Sequence, residues 1–436
     1  MKPIFRGVLF LFIAGVFYTA PAQNEGVNKI FYFGKKVKDL SEIVIDSAKS
    51  YTEEAEYGFD FGSEKNLTFK KNFFTSNNSS IYFSVKVPEG NYRVELVLGG
   101  NKCSNTTVKA ESRRLMLKEK KLGRNEEAVY SFVVNVRSPK ISESSSIKLK
   151  DRDKNQLNWD DKLTLEFLGN PSVQRIIITP ANNVKTFFLA GDSTVTDQDV
   201  EPWASWGQFF TNYLNDDVVV ANYAESGSSL VAFKGVKRLE KILSLIKKGD
   251  YLFIEFAHND EKRRGEGIGP WQSYTQLLKE YINAVKSKGG NPVLVTPTQR
   301  RAFNKDGTLK ATHGDYPAAM RKVANDLNVP LIDVTKMTTQ MYESWGVEPS
   351  RKAFVQYPAN TFPNQPKPLN DNTHFNSFGA NEIAKSVVQG IRDLNLEIIQ
   401  YLKPDIPNYN PAGPDSFSNW TLPMSSRFEI KKPEGN

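Results

Sequence analysis

The sequence predicts two domains in series: an all-β sandwich of the jelly-roll type, then an α/β domain whose helices cover both faces of a parallel sheet. Three observations carry this. Over residues 29–180 apolar residues alternate with polar ones in short runs, and helical period is scarce. From Lys185 the rhythm changes to near-continuous apolar runs separated by helix-like stretches, the pattern of strands buried on both faces. At 436 residues the chain is also too long for one ordinary core.

The elements follow in order. Lys2 and Arg6 flank the start of an apolar run over 7–18, and Ala20-Pro21-Ala22 supplies the small-x-small pattern that a signal peptidase cuts behind. Residues 1–22 therefore read as a signal peptide, with export to the periplasm or beyond and a mature chain beginning near Gln23. That run is too short to span a membrane, and no later segment approaches the ~20 apolar residues a span requires. In the sandwich, residues 27–182, Ile81, Phe83, Val85 and Val87 alternate with polar residues. Pro88-Glu89-Gly90-Asn91 makes a turn, and Tyr92, Val94, Leu96 and Leu98 resume the alternation, which predicts an antiparallel hairpin. Runs at 129–136, 163–167 and 176–178 add strands, and a second sheet is needed to cover them. In the α/β domain, residues 185–395, strands are expected at 186–190, 218–221, 251–256, 292–296 and 329–334. Helices are expected at 230–247, 272–288, 316–327 and 380–394. Residues 396–436 are rich in Pro and Asn but carry Tyr401, Tyr409, Phe417, Trp420 and Phe428. That is too aromatic for a solvated tail, and irregular packing on the body is expected.

Composition narrows the chemistry. Hydrophobic residues make up 39% and charged residues 24%, as in a folded globular protein. The only cysteine, Cys103, excludes an intramolecular disulfide and thiolate metal clusters. The net charge of +8 falls to +6 once Lys2 and Arg6 leave with the leader, a mild balance that favours an acidic polymer. No Lys/Arg run with interleaved aromatics suggests nucleic acid as a partner.

Polar blocks gather where a parallel sheet would collect them. Gly191-Asp192-Ser193 follows the first strand, Asn222-Tyr223-Ala224-Glu225-Ser226-Gly227 the second, and Ala257-His258-Asn259-Asp260 the third. Asp371-Asn372-Thr373-His374 precedes the last helix. In doubly wound sheets the ligand site lies at the strands' carboxyl ends. A serine hydroxyl needs an imidazole to take its proton, and the imidazole needs a carboxylate to hold its tautomer. Ser193 is the candidate nucleophile, His374 the base and Asp371 the orienting acid. The backbone N–H groups of Ser193 and Gly227 and the Asn259 amide are candidate oxyanion donors. Each block alone has a structural reading: Asn376 or Ser377 caps the last helix, and Gly227 permits positive φ. Their joint order is what points to acyl transfer.

These blocks resemble those of the SGNH (GDSL-type) hydrolases, and more narrowly the rhamnogalacturonan acetylesterase branch. Gly191-Asp192-Ser193-Thr194, residues 222–229, residues 248–260, Thr296-Pro297-Thr298-Gln299-Arg300-Arg301, Thr312-His313-Gly314-Asp315-Tyr316 and Asp371-Asn372-Thr373-His374 carry the likeness, which spans roughly 186–394. The resemblance implies a flavodoxin-like three-layer α/β/α fold, no metal or other cofactor, and deacetylation through an acyl-serine. Ala257 stands where the family has glycine, and Ser226 and Ser228 replace residues common in this branch. The β-region is similar to galactose-binding-like modules, with carbohydrate attachment and a purely structural role both open.

The implied partner is an acetylated polysaccharide or oligosaccharide, pectin foremost. Acetylated xylan, a sialic acid ester or a lipid-like acyl ester would use the same machinery. A carbohydrate-binding protein with a vestigial hydrolase domain and a lysophospholipase-type lipid esterase are the other readings. Arg300 and His313 are candidate substrate contacts, Arg300 for a uronate carboxylate. His258 reads as a neighbour of the site rather than a reacting group. Trp203, Trp206 and Trp271 are expected in the core or an interface, with a sugar-stacking wall as the alternative. No HExxH or clustered histidine pair supports a metal.

Overall fold

The computed structural model describes residues 27–34, 43–76 and 78–435; the signal-peptide segment lies outside the described residues. Two sheets face each other in the N-terminal half. One runs Glu127–Val136, Gly90–Gly99, Ser172–Pro180, Lys29–Phe33, Ile43–Ile45, with Phe74–Thr75 and Thr68–Phe69 branching off. The other runs Tyr57–Asp60, Ile81–Lys86, Lys162–Asn170, Ser104–Ala110, Arg114–Leu122. Phe31, Phe33, Phe59, Phe74 and Phe83 meet edge to face between the sheets, ring centroids 4.7 to 5.5 Å apart.

The expected hairpin across Pro88 is not formed. Ile81–Lys86 pairs with Tyr57–Asp60 and Lys162–Asn170 in one sheet, whereas Gly90–Gly99 pairs with Glu127–Val136 and Ser172–Pro180 in the other. The turn is an arch between sheets. Alternation tells that each strand has a buried face, but an arch and a hairpin present the same alternation.

The C-terminal half is built on β1 (Lys185–Gly191), β2 (Val218–Asn222), β3 (Tyr251–Glu255), β4 (Asn291–Val295) and β5 (Leu331–Ile332). They are all parallel, in the order β2-β1-β3-β4-β5. One face is covered by α1 (Trp206–Phe210), α6 (Val334–Trp345) and α7 (Ser377–Asp393), through Trp206, Phe210, Met341, Ile383 and Val387. The other is covered by α2 (Leu230–Gly235), α3 (Arg238–Leu245), α4 (Thr275–Ser287) and α5 (Tyr316–Asp326), through Phe233, Ile242, Leu278, Ile282 and Met320. This is the doubly wound three-layer fold, and its topological switch point lies between β1 and β3.

Three local expectations change. The stretch 230–247 is two helices, because Lys237 takes a left-handed conformation (φ +69°) between α2 and α3. The run 329–334 yields only a two-residue strand, since Asp333 accepts from Lys336 N and starts α6 at once. Asp371 and His374, expected only to precede the last helix, lie on a strand: β7 (Leu369–Phe375) pairs antiparallel with β6 (Phe354–Tyr357), outside the main sheet.

The two halves share buried ionic contacts. The turn Glu111-Ser112-Arg113-Arg114 of the sandwich inserts beside the loop that follows β1. Arg113 donates to the carbonyls of Val200 (2.8 Å) and Trp203 (2.7 Å) and pairs with Glu201. Arg137 and Arg114 approach Asp197 at 3.1 and 3.5 Å, all three side chains buried. After α7 the chain packs Leu402 and Leu422 into the same core as α1 and sets Phe417 against Phe378 in a tilted pair, ring centroids 4.7 Å apart. Among the described residues no helix is long and apolar enough to cross a membrane.

Candidate active site

Ser193 sits on a tight turn after β1, where Val195 N and Thr196 N both donate to the Asp192 carbonyl. His374 Nε2 lies 2.8 Å from Ser193 Oγ, and His374 Nδ1 lies 2.7 Å from Asp371 Oδ2. A sequence separation of 181 residues is thus closed into a three-member relay. The Asp371 carboxylate is further fixed at its other oxygen by Thr373 N (2.9 Å) and His374 N (3.0 Å), and Trp203 Nε1 reaches Oδ2 at 3.4 Å. Burial pushes the Asp371 carboxyl upward, but the hydrogen bond and charge of His374 and the two backbone donors outweigh it and bring it to about 2. Asp371 is therefore ionised throughout the neutral range and holds the imidazole with Nε2 turned to Ser193 Oγ.

The candidate oxyanion groups come from neighbouring strands. Gly227, in the loop after β2, has φ +79°, a conformation that favours glycine. Asn259, after β3, donates from Nδ2 to the Ser228 carbonyl at 3.0 Å, which orients the amide and leaves its second N–H. Because β2 and β3 flank β1, Ser193, Gly227 and Asn259 stand at adjacent carboxyl ends. Ala257 is fully buried and is absent from the residues with positive φ, so its methyl carries no backbone strain. Ser228 supplies the carbonyl that orients Asn259.

Beneath the nucleophile lies a buried carboxyl that sequence reasoning missed. Glu255, at the end of β3, accepts from Trp206 Nε1 (2.7 Å) and meets Thr194 Oγ1 (3.0 Å), which also meets Asp192 Oδ1 (2.9 Å). Burial, reinforced by the nearby Asp192 charge, pushes Glu255 up to about 8. Thr194 Oγ1 has one proton for the two carboxyl groups it touches, an arrangement that suits one of them being protonated. Glu255 ends an apolar strand run, and an acid at that place was the available signal.

The remaining candidates divide. Arg300 lies at the rim, 2.6 Å from Glu261, and borders an open pocket with Lys262, Asp371 and Lys432. His313 is buried; its Nε2 faces the Thr298 carbonyl (2.9 Å) and its Nδ1 faces Glu261 (2.7 Å). It holds the Arg300–Glu261 pair and has no surface to offer a substrate. His258 is also buried, 3.4 Å from Asp192 and edge-on to His313, and burial pushes it down to about 4, so it is neutral. Trp203 and Trp206 belong to the interior, while Trp271 is half-exposed and donates to Asp315 (3.0 Å).

Residues 189–381 match the model of the GDSL-like Lipase/Acylhydrolase family. The chain is 42% identical over 217 residues to the rhamnogalacturonan acetylesterase RhgT of Bacillus subtilis (strain 168), covering 49% of this chain and 93% of that protein. This chain belongs to the GDSL-like lipase/acylhydrolase family. The probable rhamnogalacturonan acetylesterase YesY of the same organism is 36% identical over 216 residues, 49% of this chain and 95% of the relative. The crystal structure of YxiM, also from Bacillus subtilis, covers 85% of this chain and 99% of its own at 21% identity, with a TM-score of 0.45. The family member described here is an acylhydrolase related to rhamnogalacturonan acetylesterases through its catalytic half, with an N-terminal β-rich region.

Proposed function

We propose that this chain is an exported carbohydrate esterase that removes acetyl groups from rhamnogalacturonan by an acyl-serine mechanism. The observation that carries the chemistry is the Ser193–His374–Asp371 relay at 2.8 and 2.7 Å, beside Gly227 and Asn259. Ser193 Oγ attacks the acetyl carbonyl as His374 Nε2 takes its proton. The Ser193 and Gly227 N–H groups and the Asn259 amide receive the oxyanion. His374 then protonates the departing sugar oxygen, leaving acetyl-Ser193. Water, deprotonated by His374, releases acetate and restores the hydroxyl. Support for the polymer comes from the likeness to RhgT, and Arg300 and Lys262 at the rim of the site are available to a uronate. Residues 1–22 are proposed to direct export.

Acetate release from acetylated rhamnogalacturonan, acetylated xylan and p-nitrophenyl acetate, for wild type and Ser193→Ala, tests this. Release from the pectin that disappears in the variant is expected. Serine-dependent release from p-nitrophenyl acetate or xylan, with none from the pectin, would sink the substrate assignment while keeping the mechanism.

A further inference from the structure

The cleft is not open to solvent: the chain's own residues 429–435 run across it. The run is moored upstream, where Arg427 pairs with Asp199 through both terminal nitrogens (3.0 and 2.7 Å) and Glu429 N donates to the Glu201 carbonyl (3.2 Å). It then passes directly over the reacting groups. Lys432 Nζ stands 3.8 Å from Asp371 Oδ2, and Pro433 is buried although its neighbours on both sides are exposed.

Gly435 rests on the oxyanion residues themselves. A Cβ added there would fall 2.6 Å from Asn259 Oδ1, 3.2 Å from Asn259 Nδ2 and 3.0 Å from Gly227 Cα. A Cβ added at Gly227 would in turn fall 2.9 Å from Glu434 Cβ. No acetyl group fits between surfaces in such contact. Ser193, beneath, is only 3% exposed.

The carboxylate of this run has a cationic seat. Glu434 Oε2 accepts from Lys150 Nζ at 2.7 Å, and Glu434 Oε1 lies 3.8 Å from Arg152 Nη1, which is shielded from solvent without any hydrogen-bond partner. Lys150 also donates to the carbonyl of Ser226, next to Gly227, so the seat adjoins the oxyanion loop. Both cations come from the loop that joins the sandwich strands Glu127–Val136 and Lys162–Asn170. On one side of the run is a cavity of ≈ 430 Å³ bordered by Arg152 and Arg427 with Asp151 and Asp199, and on the other an open pocket of ≈ 420 Å³ bordered by Lys262 and Arg300 with Glu261 and Asp371. Lifting the run would uncover Ser193 between the two, with charges of both signs on either side.

We propose that residues 429–435 are a tethered occupant of the substrate cleft, with Glu434 filling a Lys150/Arg152 subsite that takes a carboxylate of the acetylated polymer. Occupancy by the strap needs only the esterase chemistry; the carboxylate subsite rests on the anionic-polysaccharide reading above. Substrate competes with the strap, and the half-exposed Glu434 pair makes release easy.

The test compares the full chain with one ending at Phe428. The readouts are the rate of Ser193 labelling by a small organophosphonate and kcat/KM for p-nitrophenyl acetate, both indifferent to the polymer. If the strap leaves one cleft in ten free, both rise about tenfold on truncation. Unchanged or lower rates in a truncated protein of native Tm overturn the proposal. Should truncation impair folding, Glu434→Lys in the full chain, repelled by Lys150 and Arg152, must give a rise in the same direction, and no rise overturns it. For the subsite, D-galacturonate is expected to inhibit the truncated chain competitively while D-galactose at the same concentration does not, and Arg152→Gln is expected to remove the difference. Equal effects of the two sugars overturn the carboxylate assignment. Failure of the pectin assay alone leaves the labelling result standing, so the two readings fail separately.

Discussion

At the scale of single residues, the site works by holding charges where the reaction needs them. Asp371 stays ionised because four donors offset its burial, and it keeps His374 in one tautomer. Asp371→Asn leaves the shape but presents the wrong tautomer, and kcat for p-nitrophenyl acetate is expected to fall ~10⁴-fold with the fold intact. Asn259→Ala removes one oxyanion donor and is expected to cost ~10²–10³ in kcat. Glu255 acts on stability. It keeps its proton in the fold up to about pH 8, whereas the unfolded chain loses it near ~4.3. Between those values the folded state binds more protons. The contribution is fully present below the unfolded value and is lost as pH rises through 8. Glu255→Gln is neutral at every pH, so Tm measured from pH 5 to 9 is expected to fall less steeply than in wild type. These residue types were legible as a set because three blocks each follow a strand and the fourth precedes the last helix. Glu255 and the burial of His313 were not, because both depend on what packs around them.

At the scale of elements, His374, the proposed base, is positioned by the junction of β7 and α7. Asn376 caps α7 by accepting from Gly379 N (3.1 Å) and anchors the junction by donating to the carbonyls of Lys352 (2.8 Å) and Phe354 (3.2 Å). Gly379 lets the first turn of the helix lie against the Ala353 carbonyl, where a Cβ would collide. Gly379→Ala is therefore expected to destabilise the protein by ~1–3 kcal/mol, read as a lower urea midpoint, and to lower kcat by moving His374. Helix and strand periods located most elements of the α/β half. The arch at Pro88 escaped because a turn signal reports a reversal and not which sheet receives the next strand. The α2–α3 break escaped because Lys237, whose side chain gives no hint of it, adopts positive φ.

At the scale of the molecule, the β-sandwich is bolted to the hydrolase rather than strung beside it. Asp197, four residues after the nucleophile, faces Arg137 at 3.1 Å and Arg114 at 3.5 Å and also accepts from Asn222 Nδ2 at 2.7 Å. Breaking such a group by removing one partner strands buried charge. Asp197→Ala is expected to cost ~3–5 kcal/mol in chemical denaturation and to reduce kcat/KM along with it. The two halves are expected to unfold in one transition, because their shared contacts are buried; separate transitions by fluorescence and far-UV circular dichroism would contradict this.

The sequence by itself determined the two fold classes and the family, and it singled out Ser193, Asp371 and His374 as candidates. Periodicity is a local property of the chain, and the reacting residue types stand at strand ends in a readable order. Only the tertiary structure decided which strands share a sheet, which histidines are buried, how the sandwich grips the nucleophile loop, and that residues 429–435 lie over Gly227 and Asn259. Those features rest on contacts between residues far apart in sequence, and no local period or spacing records such a contact.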